Sequence, residues 1–298
     1  MKPQVTRAFI LAAVEQDFGP ITGWEAVAEG EESQAFAIRQ GNDDFILRVN
    51  RSAEGFRKDD FCSRRFASTD LPIPEIVSIG MIDEDYSYCI SRRAIGITLQ
   101  DMPVKEMPAI AEPVMRALEA LAAANVDGTV GYGPFDENGN GRFASWRDFI
   151  MNIANPSLYD WDALKAIVDE QRIAPYFQAL DSFAPRCPEM RQLVHGDFGS
   201  NNVLTDAGRI TGVIDWSEAM FGDPLYDVAN LFFWRSWLDC MEAQAQYLEQ
   251  QYYAALNAEA LRCYQLRIGL DVIYHSAVEG DMEVLTWGLT RCDEIVAS

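Results

Sequence analysis

The stretch His195-Gly196-Asp197-Phe198-Gly199-Ser200-Asn201-Asn202 decides how this chain is read. It has the form His-x-Asp-x-x-x-x-Asn. Behind it lies a hairpin pattern: Val203-Leu204, the turn Asp206-Ala207-Gly208, then the apolar run Ile210 to Ile214 closed by Asp215. One loop and its hairpin therefore deliver two carboxylates and an amide. Phosphoryl transfer needs such oxygens: a carboxylate beside the acceptor hydroxyl, and hard ligands for Mg²⁺ on the nucleotide phosphates. Asp197 is the candidate base, and Asn202 and Asp215 are the candidate metal ligands. Each alone could be a turn former or a strand end, but the joint pattern is far more specific. His195 reads as structural, holding the loop by a ring hydrogen bond, with His275 the other of 2 histidines.

Working outward, the residues before the loop divide by periodicity. An amphipathic helix with Ile10, Val14 and Phe18 on one face and Thr6 as its cap opens the chain, and its short apolar run excludes a signal peptide. Strand character follows at Trp24 to Glu29, Ser33 to Arg39 and Asp44 to Asn50, the last two joined by a Gly41-Asn42 turn. A helix over Phe56 to Ser68 stops before Leu71-Pro72-Ile73-Pro74, and strands Ile76 to Ile82 and Tyr86 to Arg92 complete an antiparallel sheet with one packed helix. From Pro108 the pattern is helical: Pro108 to Ala124, Ser145 to Ala154, Trp161 to Phe183 and most of Ala243 to Ala297, with a glycine-dense loop at Gly128 to Gly141. The expected class is α+β, a sheet-bearing first part and a mainly helical second part that carries the short catalytic hairpin.

Composition bounds the function. With 46 acidic against 24 basic residues the net charge is −22, a field that repels nucleic-acid phosphates and anionic membranes and steers cationic partners inward. General solubility or a salt-adapted host would give the same balance. No apolar stretch approaches the roughly 20 residues of a membrane span. The 6 cysteines are scattered without metal or redox spacing, which predicts reduced thiols in a cytoplasm; separately, a monomer is expected.

The segment Leu193 to Trp234 resembles the catalytic segment of the aminoglycoside phosphotransferase family, relatives of protein kinases. The runs Ala28 to Ser33, Leu71 to Glu75, Tyr88 to Arg93, Trp146 to Ile150 and Gly199 to Phe221 extend the resemblance over nearly the whole chain. It implies a two-lobed, protein-kinase-like fold: a nucleotide-binding lobe over 1–92, a linker at 93–96 and a catalytic, substrate-binding lobe over 97–298. It implies ATP (or GTP) with Mg²⁺ as cofactors. Glu29 to Phe36 would cover the nucleotide, with Ser33 near the phosphates. The phosphate-binding cation of the third strand would be Arg48 in place of a lysine, paired with Asp59, or with Asp60 in its stead. Ser91 and Arg93 would lie where backbone meets the adenine. Asp223 would cap the next helix, and Asp227 would brace the catalytic loop.

The same resemblance implies a hydroxyl acceptor on an aminoglycoside or aminocyclitol antibiotic, hygromycin B foremost, with phosphorylation conferring resistance. Such a polycation suits the acidic charge. Candidate contacts are Asn201, Glu218, Asp271 and Glu279, with Trp234 and Trp237 either stacking on sugar faces or serving as core. Other readings stay open: a kinase of choline, ethanolamine or a homoserine-like metabolite, a catalytically dead nucleotide binder, or an acidic scaffold for a basic protein.

Overall fold

The structure, a computed structural model, describes residues 3–27, 33–252 and 256–297. Helix α1 (Arg7–Asp17) starts at Thr6, whose extended backbone sets the cap without a side-chain bond. Strands β1 (Gly23–Ala26), β2 (Gln34–Gln40) and β3 (Asp43–Asn50) follow, then α2 (Glu54–Phe66), β4 (Ile76–Met81) and β5 (Ser87–Arg92). These strands form an antiparallel sheet in the order β1-β2-β3-β5-β4. β1 ends at Ala26, short of the expected Glu29, and Ala28 to Glu32 lie outside the described residues.

Two cores organise the molecule. Ile10 and Val14 of α1 pack with Ile38, Phe45, Leu47, Val49, Tyr88 and Ile90 on one sheet face. Cys62 and Phe66 of α2 join instead the larger core of the helical part, together with Leu71 and Ile73. The reason lies in the helix periodicity: Lys58, Cys62 and Phe66 recur on one stripe, and that stripe is buried. Phe61 of the same helix meets Phe135 at 5.8 Å between ring centroids, and Phe135 stacks on Phe221 at 4.3 Å. α2 thus belongs physically to both parts.

The second part opens with β6 (Ile97–Thr98) and α3 (Met107–Ala122). The glycine-dense segment is not a plain loop. It contains β7 (Tyr132–Phe135) and β8 (Gly141–Phe143), whose glycines and proline hide the alternation that betrays a strand. After α4 (Trp146–Met151), the expected helix from Trp161 to Phe183 is broken into a 3-10 turn (Trp161–Leu164) and α5 (Glu170–Phe183). Asp169 marks the break by restarting the helix, accepting the Gln171 N–H at 2.9 Å, while Asp160 caps the 3-10 turn through the Ala163 N–H at 3.1 Å.

β9 (Gln192–Val194), β10 (Val203–Asp206), β11 (Arg209–Val213) and β12 (Met220–Gly222) build the site's frame. They form one sheet in the order β11-β10-β6 and another in the order β8-β7-β12-β9. Helices α6 (Leu225–Trp234), α7 (Asp239–Tyr252), α8 (Ala258–Glu279) and α9 (Met282–Ala297) complete the chain. The expected continuous helical run from Ala243 is divided, with Asn257 capping α8 and Gly280 ending it at φ 80°. Among the described residues no helix is long and apolar enough to cross a membrane.

Gly222 marks how tightly β12 is packed: a Cβ there would overlap the indole of Trp146, which is fully buried and donates to the Tyr264 hydroxyl at 3.0 Å. Gly222→Ala is expected to cost about 1–3 kcal/mol by overpacking, read as a lower urea midpoint at constant slope. An unchanged midpoint would show that Trp146 yields without cost.

Candidate active site

The loop from His195 to Asn202 leaves β9 and enters β10, and every expected anchor of it is a specific bond. His195 is fully buried, and burial pushes its imidazole down to about 4, so the ring is neutral. Its Nε2 donates to the Ile214 carbonyl at 3.0 Å, while Nδ1 faces the Asp197 N–H at 3.4 Å. The backbone N–H groups of His195 and Gly196 each donate to the Asp227 carboxylate at 2.8 Å. Burial pushes Asp227 up to about 7 in spite of those donors. Asp223, at the head of α6, accepts the Leu225 N–H at 3.0 Å and the Tyr264 hydroxyl at 2.8 Å. Gly196 sits at φ 86° against the Glu218 carbonyl, a close approach that a side chain would block.

Asp197, Asn202 and Asp215 are brought together. The Asn202 side-chain amide donates to the Asp197 carbonyl at 3.0 Å and to its Oδ2 at 2.7 Å. With its N–H₂ thereby committed, the amide oxygen is the atom left to ligate a metal. The Ile214 N–H donates to the Asn202 carbonyl at 2.9 Å, which seats Asp215 beside it. Asp215 holds φ 60°, and its Oδ1 accepts the Ser217 hydroxyl at 2.8 Å. Asp197 stands among Asn202, Asp215 and Glu218 with its side chain exposed to solvent in the cleft. Its carboxyl is pushed up to about 7 by loss of hydration and then by the charges of Asp215 and Glu218, against the Asn202 hydrogen bond.

Across the cleft, Arg48 of β3 pairs with Asp59 of α2, as expected, and lies over the Phe56 ring at 5.2 Å. Asp60 pairs with Arg64 instead. Burial works against the Arg48 charge, but Asp59, Cys89 and Asp215 outweigh it and raise its pKa further. Asp59 uses its other oxygen to accept the Trp216 N–H at 2.9 Å. Ser33 is half-buried just before β2, which pairs Ala35 with Arg48. Ser91 is buried in β5, and the N–H of exposed Arg93 donates to the Asp44 carbonyl at 3.2 Å.

The substrate candidates separate. Asn201 and Glu218 are exposed on the catalytic loop and just after Asp215. Trp234 stacks on Trp287 at 4.7 Å, against the core. Trp237 is 39% exposed and, with Gln100, Met102 and Asp239, lines a cavity of about 270 Å³. That cavity adjoins the catalytic loop, because the Gln100 N–H donates to the Ser200 carbonyl at 3.2 Å. Asp271 is engaged elsewhere, accepting the Tyr159 hydroxyl at 2.9 Å and Arg267 at 3.1 Å. Glu279 is exposed at the end of α8. Sequence reading missed Lys58, buried beside this site; the available signal was a lysine on the stripe shared with Cys62 and Phe66.

Among the described residues no three His, Cys, Asp or Glu side chains form a self-sufficient metal centre. The Asn202 amide and the Asp215 carboxylate nonetheless make a hard, oxygen-only pair. Such a pair fits Mg²⁺ shared with phosphates, which supply the remaining ligands.

With this geometry the comparisons agree. The family described as "Phosphotransferase enzyme family" (APH) matches residues 23–263. The chain belongs to that family. It is 49% identical to Hygromycin-B 4-O-kinase of Escherichia coli over 300 aligned positions, covering 100% of this chain and 87% of the relative. Viomycin phosphotransferase of Streptomyces vinaceus is 31% identical over 48% of this chain and 49% of its own length. A crystal structure of a thermostable mutant of aminoglycoside phosphotransferase APH(4)-Ia, in ternary complex with AMP-PNP and hygromycin B, matches with TM-score 0.91 and 49% identity over 97% of this chain and 98% of that one. A second APH(4)-Ia structure gives TM-score 0.93 at 48% identity, covering 98% of this chain and 99% of that one. The chain thus has the two-lobed, kinase-like fold.

The Asp227 carboxylate is the loop's anchor in this phosphotransferase. Asp227→Ala leaves two buried N–H groups unpaired, with an expected cost of about 1–3 kcal/mol each and a lower kcat. Thermal melting and hydrogen exchange at His195 and Gly196 read the effect, and wild-type protection there would contradict it.

Proposed function

We propose that this chain uses ATP and Mg²⁺ to phosphorylate a hydroxyl of an aminoglycoside antibiotic of the hygromycin B type, and so confers resistance from the cytoplasm. The observation that carries the proposal is the joined set Asp197, Asn202 and Asp215, in a chain 49% identical along its whole length to a hygromycin-B kinase. That relative's name points to the 4-hydroxyl.

In this reading residues 1–92 hold the nucleotide, 93–96 link the lobes and 97–298 carry catalysis, with α2 shared between them. Arg48, kept charged by Asp59, binds phosphate oxygens through its planar fork. Ser33 approaches the phosphates, and Ser91 and Arg93 border the base. Mg²⁺ held by Asn202 and Asp215 would supply neutralising charge at the phosphates. Asp197, oriented by the Asn202 amide, accepts the proton of the attacking hydroxyl. Because the transition state is loose, orienting that hydroxyl in line is its main task. No covalent enzyme intermediate is needed.

For the acceptor, Glu218 and Asn201 flank the base, and Trp237, packed edge-on against Trp287, offers an aromatic face to the adjoining cavity. The net charge of −22 favours a polycation such as an aminoglycoside. Asp271 enters least directly, since Arg267 and Tyr159 already share its carboxylate.

The deciding test incubates the protein with ATP, Mg²⁺ and a panel of hygromycin B, other aminoglycosides, choline, ethanolamine and homoserine, and locates the phosphate by mass and NMR. Phosphorylated hygromycin B is the expected product; turnover of the metabolites alone would replace this reading with a metabolite kinase. Asp197→Ala should lower kcat by about 10²–10⁴-fold with nucleotide affinity kept. Asn202→Ala and Asp215→Ala should instead raise the Mg²⁺ concentration needed for half-maximal rate, and unchanged metal dependence in both would remove the ligand roles.

A further inference from the structure

Lys58 has no part in the reaction as described, yet it is 5% exposed, a placement that lysine seldom takes. Its Nζ donates to the Ser217 carbonyl at 2.7 Å and stands 4.7 Å from the Phe135 ring centroid. Burial pulls its pKa down to about 8, opposed by Cys62 and Glu218. Its ammonium is turned to backbone rather than to solvent. What it does reach is the turn that follows Asp215.

Consecutive residues of α2 grip consecutive residues of that turn. Asp59 takes the N–H of Trp216, and Lys58 takes the carbonyl of Ser217. Between these pins and β11, Asp215 holds φ 60°, a left-handed conformation that a residue other than glycine keeps only when its surroundings fix it. Ser217 adds a third tie from its hydroxyl to the Asp215 carboxylate at 2.8 Å. A freed Ser217 carbonyl would let the turn rotate and Asp215 relax away from Asn202.

We propose that Lys58 is a positioning residue that holds Asp215 in its metal-binding orientation. The inference rests on the assignment of Asp215 as a Mg²⁺ ligand made above. A lysine present only for packing would be replaced by methionine without loss, since the two stems are similar in volume and the Phe135 face accepts either.

The test is calorimetric titration of ADP into wild type, Lys58→Met and Asp215→Ala, each with Mg²⁺ and with EDTA. In Lys58→Met the gain in ADP affinity given by Mg²⁺ should fall by about tenfold, the scale of one charge-assisted hydrogen bond. Affinity in EDTA should stay within about twofold of wild type, well inside that bond's scale. Adding Lys58→Met to Asp215→Ala should change the Mg²⁺ response no further, because the group being positioned is gone. Should Lys58→Met not fold, Lys58→Leu, which also removes the donor, is judged by the same ratio. A wild-type Mg²⁺ response in Lys58→Met, or equal losses with and without Mg²⁺, overturns the role of Lys58 alone. A wild type whose ADP affinity ignores Mg²⁺ overturns the Asp215 assignment and this inference with it.

Discussion

One buried carboxylate sets the relation between the two parts of this molecule. Asp59 cannot lose its hydration without partners, and it finds a cation on the sheet and an N–H on the loop after Asp215. Both demands are met only when β3, α2 and the turn at Trp216 stand in one arrangement. The candidate phosphate clamp and the candidate metal site are therefore mechanically one object. Asp227 plays the corresponding part for the opposite loop, holding His195 and Gly196 from the head of α6. Two buried acids, each bonded to backbone N–H groups, fix the segments that carry Asp197 and Asp215.

Apolar packing makes those bonds enforceable. The stripe of α2 lies in the larger core, and Phe61, Phe135 and Phe221 form an aromatic column from the helix through β7 to β12. Side chains interlocked in this way do not slide gradually, so α2 is held in the orientation the ion pair requires. The glycine-rich hairpin of β7 and β8 is part of that support, with Arg142 of β8 reaching Glu54 at the start of α2.

The site itself is arranged at a cost. Asp197 carries that cost: loss of hydration first, then the charges of Asp215 and Glu218, push its carboxyl up. A fold selected for stability alone would not crowd three acids around one cleft. The repulsion makes sense where a cation completes the site and a polycation enters it, and it is consistent with the acidic balance of the whole chain.

Much of this was legible in one dimension. Strand alternation, the Gly41-Asn42 turn and the His-x-Asp-x-x-x-x-Asn spacing are local features, and local chemistry determines them. The Arg48 to Asp59 pair and the bracing by Asp227 followed from the resemblance, and the structure supplies their bonds. The hairpin in the glycine-dense segment was hidden, because glycine and proline carry no alternation. The break between Trp161 and α5 was hidden because a capping aspartate, Asp169, restarts the helix within a pattern that hydrophobic spacing alone would continue. By itself, then, the sequence determined most of the elements, the oxygen-bearing residues and the acidic field. Only the tertiary structure decided that Lys58 faces inward onto Ser217, that Asp271 is held by Arg267, and that Trp237 rather than Trp234 opens to the cavity. Those outcomes depend on which faces meet across elements far apart in the chain, and burial makes each polar group choose a partner there.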